Sequence, residues 1–173
     1  SWIWRNIGME GATYVLDANV FIEAARRYYA FDLAPPFWES LVQHAANGRI
    51  YSIDRVKQEL ERGKDELATW ATSQFNDAFA STDEEDVIES YSEVMSWVQA
   101  QDQFLDAAKA DFAAVADGWL VAYAKTKENI VVTHELPATD ARKKVPIPNV
   151  CDALGVSYVD TFTMLRELGV RFS

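Results

Sequence analysis

The chain has 173 residues, of which 49% are hydrophobic and 25% are charged, and its formal net charge is −11 at pH 7. A domain of this length can bury roughly two thirds of its unfolded surface, and the single cysteine, Cys151, excludes an intramolecular disulfide framework and suits the reducing cytoplasm, where we expect the protein to be. No apolar run approaches the ~20 residues of a membrane span, and the acidic surplus argues against a broad nucleic-acid-binding face.

The chain has one candidate boundary, close to its start. Residues 1–8 precede a plausible natural start at Met9, and we expect them to be a cloning remnant or an N-terminal extension. Residues 9–173 contain no internal repeat, no low-complexity stretch and no linker. We therefore expect them to form a single domain.

The first predicted strand ends in a carboxylate. The apolar run Tyr14-Val15-Leu16 predicts a buried strand over residues 13–16, Asp17 follows it, and a helix is predicted over residues 20–29. Ligands of open α/β sheets bind outside the carboxyl ends of the strands, so an acid placed there is a candidate for chemistry. Taken alone, Asp17 is equally well explained as the N-cap of the helix.

A helix, a strand and a second acidic helix come next. Pro35-Pro36 is predicted to close a loop, and the helix over residues 37–46 is expected to stop near Gly48. A short strand over residues 50–53 then leads into the helix that carries Glu59. By itself Glu59 looks like a solvated helix residue, since charged residues surround it.

Helical patterns dominate residues 66–127, with one predicted break around residues 81–82. Asp117 is placed within this helical region, on the rim of an apolar stripe that includes Val115, Trp119 and Leu120. An acid in mid-helix caps nothing, and its burial beside the stripe is costly without a cation. This favours a functional role for Asp117.

The last part of the chain repeats the pattern of a strand followed by an acid. Residues 130–133 predict a strand buried on both faces, and Glu135 follows it, while Asp140 competes for the same role from an irregular segment over residues 137–148. A strand over residues 156–159 and a helix over residues 161–168 complete the chain. Alternating strands and helices indicate a parallel sheet with right-handed crossovers.

The order of these features resembles that of the PIN-domain nucleases, and in particular the PIN-like group related to the ribonuclease toxins of toxin–antitoxin pairs (VapC-like). The resemblance runs from about Tyr14 to the end of the chain. No phrase is specific alone, and it is their joint occurrence in this order that carries the resemblance. The phrases are Val15-Leu16-Asp17-Ala18-Asn19-Val20-Phe21-Ile22, Val56-Lys57-Gln58-Glu59-Leu60, Ala116-Asp117-Gly118-Trp119-Leu120 and Val131-Val132-Thr133-His134-Glu135.

The resemblance implies a three-layer α/β/α fold with a central, mainly parallel sheet and an acidic pocket that binds Mg²⁺ or Mn²⁺. It implies cleavage of RNA by a toxin that has a cognate antitoxin protein, with a homodimer as a further option. The catalytic acids implied are Asp17, Glu59, Asp117 and Glu135. Of these, Asp17, Asp117 and Glu135 would hold the metal, supported by Asn19 and Thr133.

The residues themselves leave a second interpretation open. Hard oxygen ligands without histidine or thiolate support suit Mg²⁺ or Mn²⁺ and argue against zinc. However, Glu135 stands where many PIN domains have Asp, and the chain is acidic, so a catalytically weak or silent PIN-like module that binds a protein is the alternative. The basic runs Arg26-Arg27 and Arg142-Lys143-Lys144 either flank the crevice or are ordinary solvated loops.

Overall fold

The computed structural model describes residues 11–172, and the expectation for residues 1–8 lies outside this range. The described residues contain five strands, which are short and mostly buried. The strands are β1 (Tyr14–Leu16), β2 (Ile50–Ile53), β3 (Phe79–Ala80), β4 (Ile130–Val132) and β5 (Tyr158–Val159).

Helices connect the strands, and α1 continues as a π-helical turn, Ala24–Tyr28. Within residues 11–172, no helix combines the length and apolar character needed to cross a membrane. The helices are α1 (Ala18–Glu23), α2 (Pro35–Ala46), α3 (Asp54–Glu61), α4 (Glu66–Ser73), α5 (Glu85–Ala100), α6 (Asp106–Ala114), α7 (Asp117–Lys127), α8 (Ile147–Leu154) and α9 (Thr161–Glu167).

The strands form one parallel sheet in the order β3-β2-β1-β4-β5. The central strand β1 is fully buried, and it pairs Tyr14 with Ile50 on one side and with Ile130 on the other. The order reverses at β1, so the crevice beyond the carboxyl ends of β1 and β4 is the expected place for a ligand. The predicted fold class, a three-layer α/β/α fold with a parallel central sheet, is confirmed.

The long helical region predicted over residues 66–127 is wrong in detail, because it is broken more than once. After α4, Phe75 is buried among aromatic rings, and Phe79–Ala80 pairs with β2 as an edge strand. A second break lies between α5 and α6, and a third between α6 and α7. Burial and strand pairing with distant residues override the local helical pattern at these places.

Two proline segments begin helices, although they were predicted as loop or irregular chain. Pro35 and Pro36 occupy the first turn of α2, and Pro148 lies in the first turn of α8. The first N–H groups of a helix have no partner within the helix, so a residue without an N–H is tolerated there. The stop at Gly48 was correctly placed, at a φ of +73° that glycine adopts readily.

Candidate functional site

A cavity of about 370 Å³ opens at the carboxyl edge of the sheet, and acids predominate among its polar lining residues. Its apolar walls come mainly from α1 and α6. Two lysines from the segment before α8 face the acids. The charged residues lining the cavity are Asp17, Glu59, Asp111, Asp117, Glu135, Lys143 and Lys144.

Asp17 lies at the centre of the sheet edge and is only 2% exposed. Its backbone N–H donates to the carbonyl of Val132, which ties the end of β1 to the end of β4. The hydroxyl of Thr133 donates to Oδ2 of Asp17 at 3.1 Å. Asp17 stands at the N-cap of α1 without a fully formed capping hydrogen bond, and the nearby N–H of Asn19 is the smallest of the influences on its pKa, so capping alone does not explain a buried carboxyl here.

The pKa of Asp17 is raised well above its ordinary value. Burial is the main cause, and repulsion from Asp117 and then Glu135 adds to it. The hydroxyl of Thr133 and the nearby backbone N–H of Asn19 act in the opposite direction. The site therefore brings several carboxyls together with too little positive charge nearby to stabilise all of them in the ionised form.

Asp117 is the first residue of α7, not a mid-helix residue as predicted. Helix α6 ends at Ala114, and the short connection lets α7 start at the cavity. Gly118 lets α7 pack closely against α6 and α5, because a Cβ at this position would lie 3.0 Å from Cε2 of Phe112 and 3.2 Å from Cε2 of Tyr91. An acid in the first turn interacts favourably with the helix dipole, so a structural benefit accompanies the placement.

Asp117 is half-buried, and its carboxylate forms no hydrogen bond or ion pair with any of the described residues. Its pKa is raised to about 7 by burial first, then by repulsion from Glu135 and Glu59, while Lys144 lowers it. A carboxyl that is close to other acids, partly desolvated and unpaired is a candidate functional group.

Glu59 reaches the cavity from α3 and is already engaged. Its Oε1 accepts a hydrogen bond of 2.9 Å from the backbone N–H of Ala116. This bond joins α3 to the connection before α7 and so helps to place Asp117. One oxygen of Glu59 is therefore committed to structure.

Glu135 is half-buried and lines the cavity with both carboxylate oxygens engaged. Oε1 accepts from the backbone N–H of Ile147, the first residue of α8, at 3.0 Å, and Oε2 lies 3.3 Å from Nζ of Lys144. Asp140 is exposed and does not line the cavity. Its segment is held by Gln103, whose Nε2 donates to the carbonyls of Thr139 and Ala141.

Of the two basic runs, one flanks the crevice. Lys143 and Lys144 line the cavity opposite the acids, whereas Arg26 and Arg27 do not line it and Arg27 pairs with Glu23 at 3.2 Å. Asp111, an exposed residue of α6, also lines the cavity and was not predicted from the sequence.

The donor set of the cavity suits a hard divalent cation. Asp17, Asp117 and Glu135 offer only oxygen, and a cation would relieve the repulsion that, after burial, raises the pKa values of the two aspartates. Within residues 11–172, however, no three acidic, histidine or cysteine side chains already surround a common point as a metal site requires. A cation at this cavity would require side-chain rearrangement, for which the unpaired Asp117 and the exposed Lys144 are suited.

We expect Glu135→Gln to weaken metal binding or turnover more than Asp140→Asn does. Glu135 lines the cavity and is held by the N–H of Ile147 and by Lys144, while Asp140 is exposed and does not line the cavity. A group that its contacts hold in place is better preorganised than an exposed one. Metal titration and RNA turnover of both variants test this, and a larger loss in Asp140→Asn would reassign the fourth acid.

Comparisons with known proteins give one family and, from solved structures, a shared fold. The family profile of DUF4411, described as a domain of unknown function, matches residues 14–172. No curated protein matches the chain. Among solved structures, VapBC2 from Rickettsia felis bound to a DNA fragment from their promoter matches at 14% identity and a TM-score of 0.51, over 86% of this chain and 98% of that chain.

Two further structures show the same likeness. FitAcB from Neisseria gonorrhoeae matches at 20% identity and a TM-score of 0.51, over 84% of this chain and 96% of that chain. FitAB bound to the IR36 DNA fragment matches at 18% identity and a TM-score of 0.53, over 86% and 94%. All three matches lie below 25% identity and show the fold alone, and for the fold the PIN-like resemblance is confirmed.

Proposed function

The chain belongs to the DUF4411 family of domains of unknown function and has a PIN-like fold, and from these premises we propose that it is a metal-dependent endoribonuclease, the toxin of a toxin–antitoxin pair. The observation that carries the proposal is the meeting of Asp17, Glu59, Asp117 and Glu135 at one cavity beyond the carboxyl ends of the strands. Fold alone does not imply activity, and it is this site that supports hydrolysis.

Asp17, Asp117 and Glu135 would hold Mg²⁺ or Mn²⁺, with Thr133 fixing the carboxyl of Asp17 through its hydrogen bond. When bound, the divalent cation offsets the negative charge that develops on a phosphodiester and makes water a better nucleophile at neutral pH. Glu59 holds the chain before α7 in place through the N–H of Ala116. Its role is to position Asp117.

Lys143 and Lys144 would meet the phosphates of the substrate. Both line the cavity, and Lys144 is exposed enough to move away from Glu135. A lysine acts as a mobile point charge for phosphate. This local positive charge offsets the overall charge of −11, which otherwise disfavours binding of a polyanion.

The proposed partner is a cognate antitoxin protein. The solved structures similar to this chain are VapBC2, FitAcB and FitAB, whose names each join two components. Two of these structures are bound to DNA. An acidic chain attracts a basic partner segment. A homodimer and action in the cytoplasm complete the proposal, the latter because the lone Cys151 is a buried free thiol.

Cleavage of end-labelled single-stranded RNA by the purified chain tests the proposal. We expect internal cleavage with Mg²⁺ or Mn²⁺ and none with a chelator. Two observations favour the silent protein-binding alternative, namely the acidic surface and the engagement of both oxygens of Glu135. Failure to cleave any RNA with either metal would reject the nuclease and leave that alternative.

A further inference from the structure

A second concave surface adjoins the acidic cavity and shares two of its residues, Glu59 and Val115. It encloses about 90 Å³ between α3 and the connection from α6 to α7. We name it the arginine groove because two arginines supply its positive charge. Its residues are Arg55, Gln58, Glu59, Arg62, the segment 113–116 and Trp119.

The side chains of α3 face this groove in a regular pattern. Arg55, Gln58, Glu59 and Arg62 follow the spacing i, i+3, i+4 and i+7, which places them on one face of a helix. The same helix therefore presents Glu59 at the boundary of the acidic cavity and the arginines beside it. A chain that crosses the acidic cavity along α3 meets the arginine groove next.

Arg55 is held in place before any ligand arrives. Its Nε donates to the hydroxyl of Thr82 at 3.2 Å, and its guanidinium lies 4.1 Å from the ring centroid of Trp119. Thr82 in turn donates to Oδ1 of Asp54 at 2.8 Å. Ordering a long side chain in advance lowers the entropic cost of binding.

Trp119 does not offer a free face to a nucleobase. The guanidinium of Arg55 lies over the ring system of Trp119. The ring of Tyr91 stacks on the same ring system, with centroids 3.7 Å apart and an interplanar angle of 10°. Trp119 therefore acts as a support for the guanidinium of Arg55. This arrangement indicates recognition of a charged group, because a base-binding surface needs an open ring face.

Arg62 is exposed, and its guanidinium makes no hydrogen bond or ion pair with any residue in the range 11–172. The neighbouring acid, Glu59, has one oxygen engaged with the N–H of Ala116. The groove thus offers one fixed and one unpaired guanidinium in a chain with a net charge of −11. Arginine binds phosphate oxygens through paired N–H groups.

The groove is small beside the acidic cavity, with a volume of about 90 Å³ against about 370 Å³. Its guanidiniums suit a charged group, and the covered face of Trp119 disfavours a base. The ligand is therefore a phosphate on a chain whose remainder lies outside the groove.

We propose that the arginine groove binds a backbone phosphate of single-stranded RNA next to the phosphodiester held at the acidic cavity. The inference rests on the proposed ribonuclease function for its substrate. Arg62 binds the phosphate, and Arg55, held by Thr82 and Trp119, fixes its position. The groove sets the register of the strand, so Arg55 and Arg62 are positioning residues rather than catalytic ones.

Binding is measured by fluorescence anisotropy with a labelled single-stranded RNA of about 12 nucleotides. All substitutions are made in the Asp17→Asn background, so that cleavage does not interfere. We expect Arg62→Gln to weaken binding about tenfold at low salt, the effect of losing one charged hydrogen-bond partner. The slope of log K against log salt should fall by about 0.7, the value for one phosphate contact on a single strand.

Two further variants separate position from charge. Arg55→Lys keeps the charge but loses the planar contact with Trp119, and we expect about threefold weaker binding with the salt slope unchanged. Arg27→Gln is the matched control, since Arg27 is exposed, pairs with Glu23 and lines neither the cavity nor the groove. It should bind as the Asp17→Asn parent does.

The turnover of the otherwise unmodified chain gives a second readout. Arg62→Gln should raise KM for the same RNA and leave kcat unchanged. If Arg62→Gln and Arg55→Lys bind RNA as the control does, the groove proposal is overturned even if the chain cleaves RNA. If Arg62→Gln loses affinity and salt slope while no RNA is cleaved under any condition, the groove stands and the nuclease function fails.

Discussion

Asp17→Asn and Asp117→Asn are each expected to lower the rate of RNA cleavage by about 10² or more, the scale on which loss of one preorganised electrostatic group acts. Asparagine keeps the shape of the side chain and loses the charge that would hold a cation. At position 17 the amide oxygen can still accept from the hydroxyl of Thr133, so the end of β1 should stay in place. Rates are measured on end-labelled RNA, with circular dichroism to verify folding.

The matched control is Asp140→Asn, an identical chemical change at an exposed residue outside the cavity. It should cleave RNA at the parent rate. A chelator should remove the activity of both the parent and the control. Cleavage that survives the chelator and both active-site substitutions would point to a contaminant or to chemistry that needs no metal.

Mg²⁺ or Mn²⁺ is expected to raise the melting temperature, and to raise it more at pH 8 than at pH 5.5. The pKa values of Asp17 and Asp117 are both raised, so the folded chain without metal holds protons that the unfolded chain releases. Its free energy of unfolding therefore falls as pH rises from the ordinary carboxyl value of 3.8 to about 7 for Asp117. Metal needs ionised carboxylates, so its stabilisation grows over the same interval.

The expected size of the pH effect on stability follows from the raised pKa of Asp117. Between pH 5.5 and its pKa of about 7, the cost of ionisation is about 2 kcal/mol at about 1.4 kcal/mol per unit. For a chain of this length that corresponds to a fall of about 4 to 8 °C in the melting temperature of the metal-free protein. A metal present at a hundred times its dissociation constant restores about 2.7 kcal/mol.

Thermal scans of the parent and of the double variant Asp17→Asn, Asp117→Asn test this expectation at both pH values. The double variant should lose most of its dependence on pH and on metal. An equal response to metal in the two proteins would place the bound ion outside the cavity. A melting temperature of the metal-free parent that rises from pH 5.5 to 8 would contradict the assigned carboxyl environments.

The parts of the fold that local patterns encode were predictable. The apolar run before Asp17 and the one over residues 130–133 are strands because short apolar segments bury both faces in a parallel sheet. The alternation of strands and helices then brings the carboxyl ends of β1 and β4 to the same edge. The placement of Asp17 and Glu135 at one cavity, and of Thr133 within hydrogen-bond distance of Asp17, follows from these two local features.

Tertiary structure decided the rest of the site. Asp117 was predicted in mid-helix, and only the break after α6 places it at the start of α7. The residues around Glu59 predicted only a solvated helix position. Its role comes from the hydrogen bond that it accepts from the backbone N–H of Ala116, 57 residues further along the chain. Lys144 pairs with Glu135 through an irregular segment that has no periodic signal.

The arginine groove likewise combines a local sequence pattern with a contact between distant segments. The sequence shows that Arg55 and Arg62, the residue after α3, share one helix face. The groove forms only because α7 brings Trp119 against that face. Local sequence determines which residues share a helix face or follow a strand, because that depends on backbone geometry over a few residues. Contacts between distant segments depend on burial and packing of the whole core, and these determine which faces meet.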